Sequence, residues 1–495
     1  MNVAALLLPF VVALPPGASA PPPGSLPAAA RVTTLDRELG LALVRLPKRG
    51  AAPALRRLRA APGVRYVERD APLSLANEGC QPLGQEAVKA YPGWRSAIHL
   101  STRSAAGIVI GIADSGIDDD RLAPRQAPLL HLSAGGKQTP HDPVGHGTAV
   151  ASLLVANRPD VGVVGIVPDA TLLSARIVKS ASCTAPMLEH GLLAAFGWLR
   201  RQGAQVVNVS ANLRSSQAMR ESLQALQLSG ALVVAAAGNG GIKPDGTFPA
   251  SEPGVLAVGA LAPGSSTQVW SGSSRGSFLD LVAPAEGIKV MATSAPGQSA
   301  STETTLTFRG TSFSAPLVTA AAAMVWATHR DWTAAEVANA LVRSATPLGK
   351  GAPSRNWGYG RLDVNLALRI PKLADSHEPN DWVAAALLQR PLRPGAVVVA
   401  SLGWAHDRID AYTVDVPAGT TARAVLRQGA QGIAMQVLSI HATDGELTAV
   451  ARRHAGPSQV ALHAGRQLLV LARARGAAPG PYTLSLLGGP GTSGS

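Results

Sequence analysis

Apolar and polar positions alternate along this chain in three textures. Between about residues 76 and 371, short apolar runs at Gly107 to Ala113, Thr171 to Val178, Ala204 to Val209, Ala231 to Ala236 and Val255 to Ala260 read as buried strands. His146 to Asn157, Met187 to Gln202, Gln217 to Leu228 and Ser312 to His329 carry a helical pattern instead. Alternation of this kind predicts an α/β fold: a mostly parallel sheet flanked by helices on both faces, with ligands held at the carboxyl ends of the strands. After Pro371 the runs shorten and Pro/Gly turns separate them: Val397 to Leu402, Ala411 to Val416, Ala422 to Leu426, Ala434 to Ile440, Gln467 to Leu471 and Tyr482 to Leu486. That spacing predicts a C-terminal β-sandwich over residues 372–495. Upstream, Leu41 to Leu46 and Gly63 to Glu68 read as strands and Ala52 to Ala61 as an Arg-rich helix, a small α+β unit over residues 21–75.

The first charged side chain is Arg31, and the apolar run Ala4 to Leu14 ahead of it is followed by Ala18-Ser19-Ala20. This is the pattern of a signal peptide over residues 1–20, and Pro9, Pro15 and Pro16 speak against a buried helix there. No later stretch makes a credible membrane span, so a secreted product, extracellular or periplasmic, is expected. With 46% apolar and 15% charged residues in 495, wholesale disorder is excluded. The net charge of +13 is spread along the chain without long runs of like charge, which argues against a polyanion-binding stripe and a nucleic-acid partner. Two cysteines, Cys80 and Cys183, allow one bridge or two separate thiols.

Four short motifs carry candidate chemistry. Ile108 to Gly116 is a buried-strand pattern that ends by presenting the carboxylate of Asp114. Gly145-His146-Gly147-Thr148 sets an imidazole, suited to proton transfer near neutrality, at the start of an apolar helix. Gly310-Thr311-Ser312 opens the Ala-rich helix, where free backbone N–H groups and the positive helix end favour a developing anion. Ala237-Gly238-Asn239-Gly240 follows another apolar strand and offers the Asn239 amide as a donor. Taken singly, each has a plainer reading as a turn or a helix cap. In the order Asp, His, Asn, Ser they supply the orienter, base, oxyanion donor and nucleophile of one acyl-transfer reaction. His141, Asp142 and His146 could instead be metal ligands, but no His-Glu-x-x-His helix accompanies them. Asp118, Asp119 and Asp120 are possible calcium ligands. No metal and no cofactor is assigned, with calcium left open.

With these motifs the chain resembles the subtilisin-like (subtilase) serine peptidases. The resemblance extends to Val164-Gly165-Ile166-Val167-Pro168, to Phe248-Pro249-Ala250 with Val255 to Ala260, and to Gly358-Tyr359-Gly360-Arg361-Leu362-Asp363. It implies a serine endopeptidase over residues 76–371, with Asp114, His146 and Ser312 catalytic and Asn239 in the oxyanion hole. Ser210, Ala211, Asn212 and Gly238 then bind substrate. Gly63 to Asp70 resembles the last strand of the family's inhibitory propeptide, which implies a precursor that processes itself between Ala71 and Cys80. Glu378-Pro379-Asn380-Asp381, Asp410 to Val414 and Pro417-Ala418-Gly419 are similar to the bacterial pre-peptidase C-terminal domain. The implied partners are protein or peptide substrates and the chain's own propeptide as an intramolecular inhibitor, in a monomer. Two departures from the family pattern stand out. Asn208-Val209-Ser210-Ala211-Asn212 replaces the usual Asn-Met-Ser-Leu-Gly, and Ala285 replaces the Gly that commonly follows Ala-Pro. Two rival readings are a catalytically dead scaffold and a C-terminal binding module to which the peptidase is accessory.

Overall fold

The computed structural model describes residues 7–70, 72–75, 94–100, 104–122, 129–132, 142–177, 187–213, 215–242, 246–252, 254–292, 304–350, 354–371, 391–402, 409–428, 433–443, 446–452, 459–462, 464–473 and 480–490. Cys80, Cys183, His141 and the Glu378 to Asp381 motif lie outside them.

At the N-terminus, β1 (Leu7–Ala13), β2 (Arg31–Asp36), β3 (Leu41–Pro47), α1 (Ala51–Ala60) and β4 (Tyr66–Arg69) form one unit, followed by β5 (Pro72–Leu75). The four-stranded antiparallel sheet runs β2-β3-β1-β4. Leu7–Ala13 falls within the apolar run assigned to a leader, yet it is an inner strand paired on both edges. A continuous apolar run is the signature of a leader and equally of a strand buried on both faces. Successive residues of β1 serve opposite sides of the sheet, as the period of a strand requires. Phe10 and Val12 pack with Ala54 and Leu58 of α1, whereas Val11 and Ala13 pack toward the rest of the molecule.

The main body contains β6 (Val109–Asp114), β7 (Leu129–Leu132), α2 (His146–Val155), β8 (Thr171–Arg176), β9 (Met187–Leu188), α3 (Glu189–Arg201), β10 (Val206–Val209), β11 (Ala211–Asn212) and α4 (Gln217–Leu228). It continues through β12 (Leu232–Ala236), β13 (Val255–Leu261), β14 (Leu281–Pro284), α5 (Thr311–Thr328), α6 (Ala334–Arg343) and β15 (Gly360–Arg361). Eight parallel strands form one sheet in the order β15-β14-β13-β12-β10-β6-β8-β7. Alternate side chains divide between two cores. Ile110, Ile112, Val206, Val234 and Leu256 pack under α2, α5 and α6, while Ala113, Val207, Val233 and Ala257 pack under α3 and α4. α5 is apolar nearly all round and accordingly buried over almost its whole length. From β6 the sheet grows first toward β8 and β7, then in the other direction through β10. That reversal opens a crevice beyond the carboxyl ends of β6 and β10.

Met187 and Leu188 were expected to begin a helix. They form β9 instead, because they pair with β5, and α3 starts at Glu189.

The C-terminal strands build two four-stranded antiparallel sheets that share the core of Val398, Tyr412, Val414, Leu426, Leu469 and Leu484. Two strands beyond the expected set, Glu446–Arg452 and Gln459–Leu462, are edge strands. Glu446–Arg452 carries a charge at each end, which suits an edge, and Gln459–Leu462 is too short to show a clear alternation.

The N-terminal unit is fastened to α3 and α4. Asp36 pairs with Arg200 at 3.0 Å, and Arg65 pairs with Glu221 at 3.0 Å. Glu68 accepts the backbone N–H groups of Gln217 and Ala218, each at 3.1 Å, at the start of α4. Asp70 accepts from the backbone N–H of His190 at 3.0 Å and faces its Nδ1 at 2.7 Å, at the start of α3. Both acids thus satisfy N–H groups that a helix start leaves without an internal partner.

Candidate active site

Asp114 is the last residue of β6 and His146 the first of α2. Nδ1 of His146 lies 2.7 Å from Oδ1 of Asp114, with the two side chains 2% and 1% exposed. The same Oδ1 accepts the N–H of Ser115 at 2.6 Å. Among the described residues, His146 Nε2 and Asp114 Oδ2 are buried and carry no hydrogen bond. An unsatisfied buried nitrogen is costly, and it calls for a use. Burial works against the imidazolium, but the charge and hydrogen bond of Asp114, with the charge of Asp142 behind, outweigh it and raise the pKa of His146 above 6.5.

A second layer holds this pair. Ser115 donates its hydroxyl to Oδ1 of Asp142 at 2.7 Å and accepts the N–H of Gly147 at 2.8 Å. Asp142 also takes the N–H groups of Val144 (3.1 Å), Gly145 (2.8 Å) and Thr148 (2.8 Å) and the Thr148 hydroxyl (2.8 Å). One buried carboxylate therefore ties the turn after Asp114 to the first turn of the helix that carries His146. Burial raises the pKa of Asp142, opposed by hydrogen bonds from Thr148, Ser115 and Gly145. Its oxygens accept protein donors, and among the described residues no group of three or more His, Cys, Asp or Glu gathers as metal donors. Asp118 likewise accepts the N–H of Asp142 at 2.7 Å. Gly147 is required by close approach, since a Cβ there would stand 2.1 Å from the carbonyl oxygen of Gly116.

Ser312 is the second residue of α5, 2% exposed, within the turn whose N–H groups have no internal acceptor. The next residue, Phe313, sets its ring 5.7 Å from the imidazole of His146. Four residues after Ser312 comes Pro316, which has no N–H to give to the Ser312 carbonyl. The hydroxyl of Ser210, just past β10, fills that gap at 3.0 Å. Ser210 is itself held by Asn208 Nδ2 at 2.9 Å, and Asn208 Oδ1 accepts from Thr319 of α5 at 3.1 Å. Strand β10 and helix α5 are thereby locked together beside Ser312.

Asn239 Oδ1 accepts both the backbone N–H and the hydroxyl of Thr311, each at 3.0 Å, and the Gly238 N–H donates to that hydroxyl at 3.0 Å. Because the Thr311 N–H demands an oxygen, the amide nitrogen of Asn239 is turned to the other side. Gly310, at φ 135°, makes this approach possible, for a Cβ there would stand 3.1 Å from Asn239 Nδ2.

Of the residues expected at the site, Asp114 with His146, Ser210 with Ser312, and Gly238 with Asn239 are thus joined, directly or through Thr311. Ala211 and Asn212 form β11 at the same crevice. Sequence reasoning assigned no role to Ser115, Thr311 or Pro316, and took Asp142 only as a possible metal ligand. Pro316 carried a readable signal, since counting back four residues from it gives Ser312. A buried imidazole backed by a carboxylate, a serine at a helix start and a preset amide donor form an arrangement able to carry out acyl transfer.

Residues 105–360 match the model of the subtilase family. The chain is 32% identical over 326 residues to subtilisin amylosacchariticus of Bacillus subtilis subsp. amylosacchariticus, covering 63% of this chain and 78% of the relative. To the subtilisin of Bacillus pumilus it is 30% identical over 296 residues, 58% of this chain and 98% of the relative. Among solved structures, fervidolysin from Fervidobacterium pennivorans, a keratinolytic enzyme related to subtilisin, shares the fold at a TM-score of 0.62. The match covers 96% of this chain and 92% of that one at 16% identity.

Proposed function

The chain belongs to the subtilase family and is a serine endopeptidase, and from that premise we propose that Ser312, His146 and Asp114 form its catalytic triad with Asn239 as oxyanion donor. His146 Nε2 takes the Ser312 proton as Oγ attacks the peptide carbonyl carbon. The Asn239 amide and the Ser312 backbone N–H bind the oxyanion. As the C–N bond breaks, the leaving amine receives that proton from His146, and water hydrolyses the acyl-enzyme with His146 again as base. Ser210, Ala211, Asn212 and Gly238 line the substrate strand. The observation that carries this reading is the 2.7 Å His146–Asp114 pair with its buried, unoccupied Nε2. Purified protein should hydrolyse casein, and Ser312→Ala should abolish the turnover; activity within tenfold of wild type would remove Ser312 from the mechanism.

The N-terminal unit acts in this proposal as an intramolecular inhibitor, because β5 occupies the crevice between β9 and β11 as an added strand. The sandwich after residue 371 serves as the pre-peptidase C-terminal-like domain. Substrates are proteins or peptides, and the enzyme works as a monomer outside the cytoplasm. Export rests on the apolar leader pattern, and among the described residues no helix is long and apolar enough to cross a membrane. The pairing of β1 on both edges favours a second reading of residues 7–13, in which they remain with the inhibitory unit as its inner strand. Expression of a chain lacking residues 1–20 separates the two. A correctly processed, active product supports the leader; failure to mature supports the strand.

A further inference from the structure

The basic excess of the chain, dispersed along the sequence, is sorted by folding within the N-terminal unit. The unit's sheet has two faces. Phe10, Val12, Val44 and Leu46 pack with α1, whereas Val11, Ala13 and Leu41 share a core with Phe196 of α3 and Met219 of α4. Helix α1 therefore covers the side turned away from the peptidase body. The four acids of residues 7–70 are all engaged on the inner side. Asp36 and Glu38 pair with Arg200, Glu68 accepts the N–H groups at the start of α4, and Asp70 meets His190. The outer side carries cations alone. α1 buries Ala51, Ala54 and Leu58 and exposes Arg56, Arg57 and Arg59. Exposed Lys48 and Arg49 lead into it, and exposed Arg69 of β4 falls on the side of Val67, because strand side chains alternate. Among the described residues none of these six makes an ion pair. On an exposed helix, acids three or four residues from the bases add support, and like charges so spaced repel. α1 has no acid and sets Arg56 and Arg59 three apart. An anionic surface would relieve that repulsion.

We propose that this outward face of the N-terminal unit docks the unprocessed chain on an anionic phospholipid surface. Charge complementarity carries the proposal. Each Lys or Arg held within a Debye length of an anionic bilayer adds to binding, and six unpaired cations on one face act together. Export, proposed above, brings the chain to such a surface. Lipid is favoured over nucleic acid by the side chains the face lacks. The unit's two aromatic residues are Phe10, buried with α1, and Tyr66, whose hydroxyl donates to Glu221 at 2.8 Å, so neither ring is set out for bases to stack on. α1 keeps its apolar stripe inside the unit, so the contact is with headgroups and does not enter the acyl layer. One consequence rests on the proposed function. If the unit is the inhibitor lost on maturation, the precursor is held at the membrane and the processed enzyme is released.

Co-sedimentation of the full-length Ser312→Ala chain with vesicles of phosphatidylcholine, with and without phosphatidylglycerol, tests this. The chain should bind the anionic vesicles alone and come off as salt is raised. Arg56→Gln/Arg57→Gln/Arg59→Gln should weaken binding about a hundredfold, at about fivefold for each cation. Arg56→Lys/Arg57→Lys/Arg59→Lys should bind as the parent does. Removing the same charge from the exposed sandwich, as Arg393→Gln/Arg423→Gln/Arg427→Gln, should leave binding unchanged. Processed wild-type enzyme, without the unit, should stay in the supernatant. Equal binding to phosphatidylcholine, equal weakening in the sandwich variant, loss of binding in the lysine variant, or sedimentation of the processed enzyme overturns the proposal. Tighter binding to duplex DNA than to phosphatidylglycerol vesicles overturns it as well. A wild-type chain that stays uncut and sediments with the anionic vesicles supports the docking face and counts against the proposed processing alone.

Discussion

Two buried histidine–aspartate pairs in this molecule have nearly the same geometry and differ in what is left unbonded, and only one is proposed to be catalytic. His146 faces Asp114 and His190 faces Asp70, both through Nδ1 at 2.7 Å and both within the first two residues of a helix. In the second pair both oxygens of Asp70 are engaged, one by the ring and one by the backbone N–H of His190, so the carboxylate caps α3 and fastens the N-terminal unit to it. In the first pair Asp114 Oδ2 and His146 Nε2 are buried without a partner, and the ring lies beside the residue that follows Ser312. A short His–Asp contact therefore does not identify a catalytic base. The distinguishing features are the unspent nitrogen and the serine set at a helix start nearby.

The comparison can be broken most forcefully at the rings. His146→Ala should lower kcat by about 10⁶-fold on a peptide substrate, whereas His190→Ala should leave kcat of the processed enzyme unchanged. Equal losses would erase the distinction. At the carboxylates, Asp114→Asn should reduce kcat about 10⁴-fold with little effect on stability. Asp70→Ala strands a buried imidazole and should destabilise the uncleaved Ser312→Ala precursor by about 3 kcal/mol in denaturant unfolding, without touching turnover once the unit is removed. A smaller effect sharpens the account. Since the pKa of His146 is raised above 6.5, kcat/KM should fall on acidification through a midpoint above that value. Stability carries the opposite sign. The raised pKa means the folded state favours the protonated ring, so this contribution is complete below 6.5 and is lost as pH rises through the folded value. Unfolding of Ser312→Ala with and without His146→Ala across pH isolates it.

Much of the fold was readable because the strands of the parallel sheet are short continuous apolar runs and α4 spans the expected Gln217 to Leu228. The proposed site residues Asp114, His146, Asn239 and Ser312 were legible as candidates because each ends or follows a predicted strand or opens a predicted helix, and the structure places them there. What escaped was decided by tertiary partners. Met187 and Leu188 are a strand because β5 lies beside them. Asp142 could not be told from a metal ligand by residue type alone. Its role follows from the five donors that converge on it.

The proposed triad requires Ser312 and His146 to act as one unit, and Phe313, next to Ser312, sets its ring 5.7 Å from the His146 imidazole. Labelling of the processed enzyme with a serine-reactive fluorophosphonate, followed by mass mapping of the adduct, tests it directly. The account expects a single adduct on Ser312, its rate reduced at least a thousandfold in folded His146→Ala, on the order expected for loss of a general base. An adduct on another serine, or on Ser312 at an undiminished rate without His146, would contradict it.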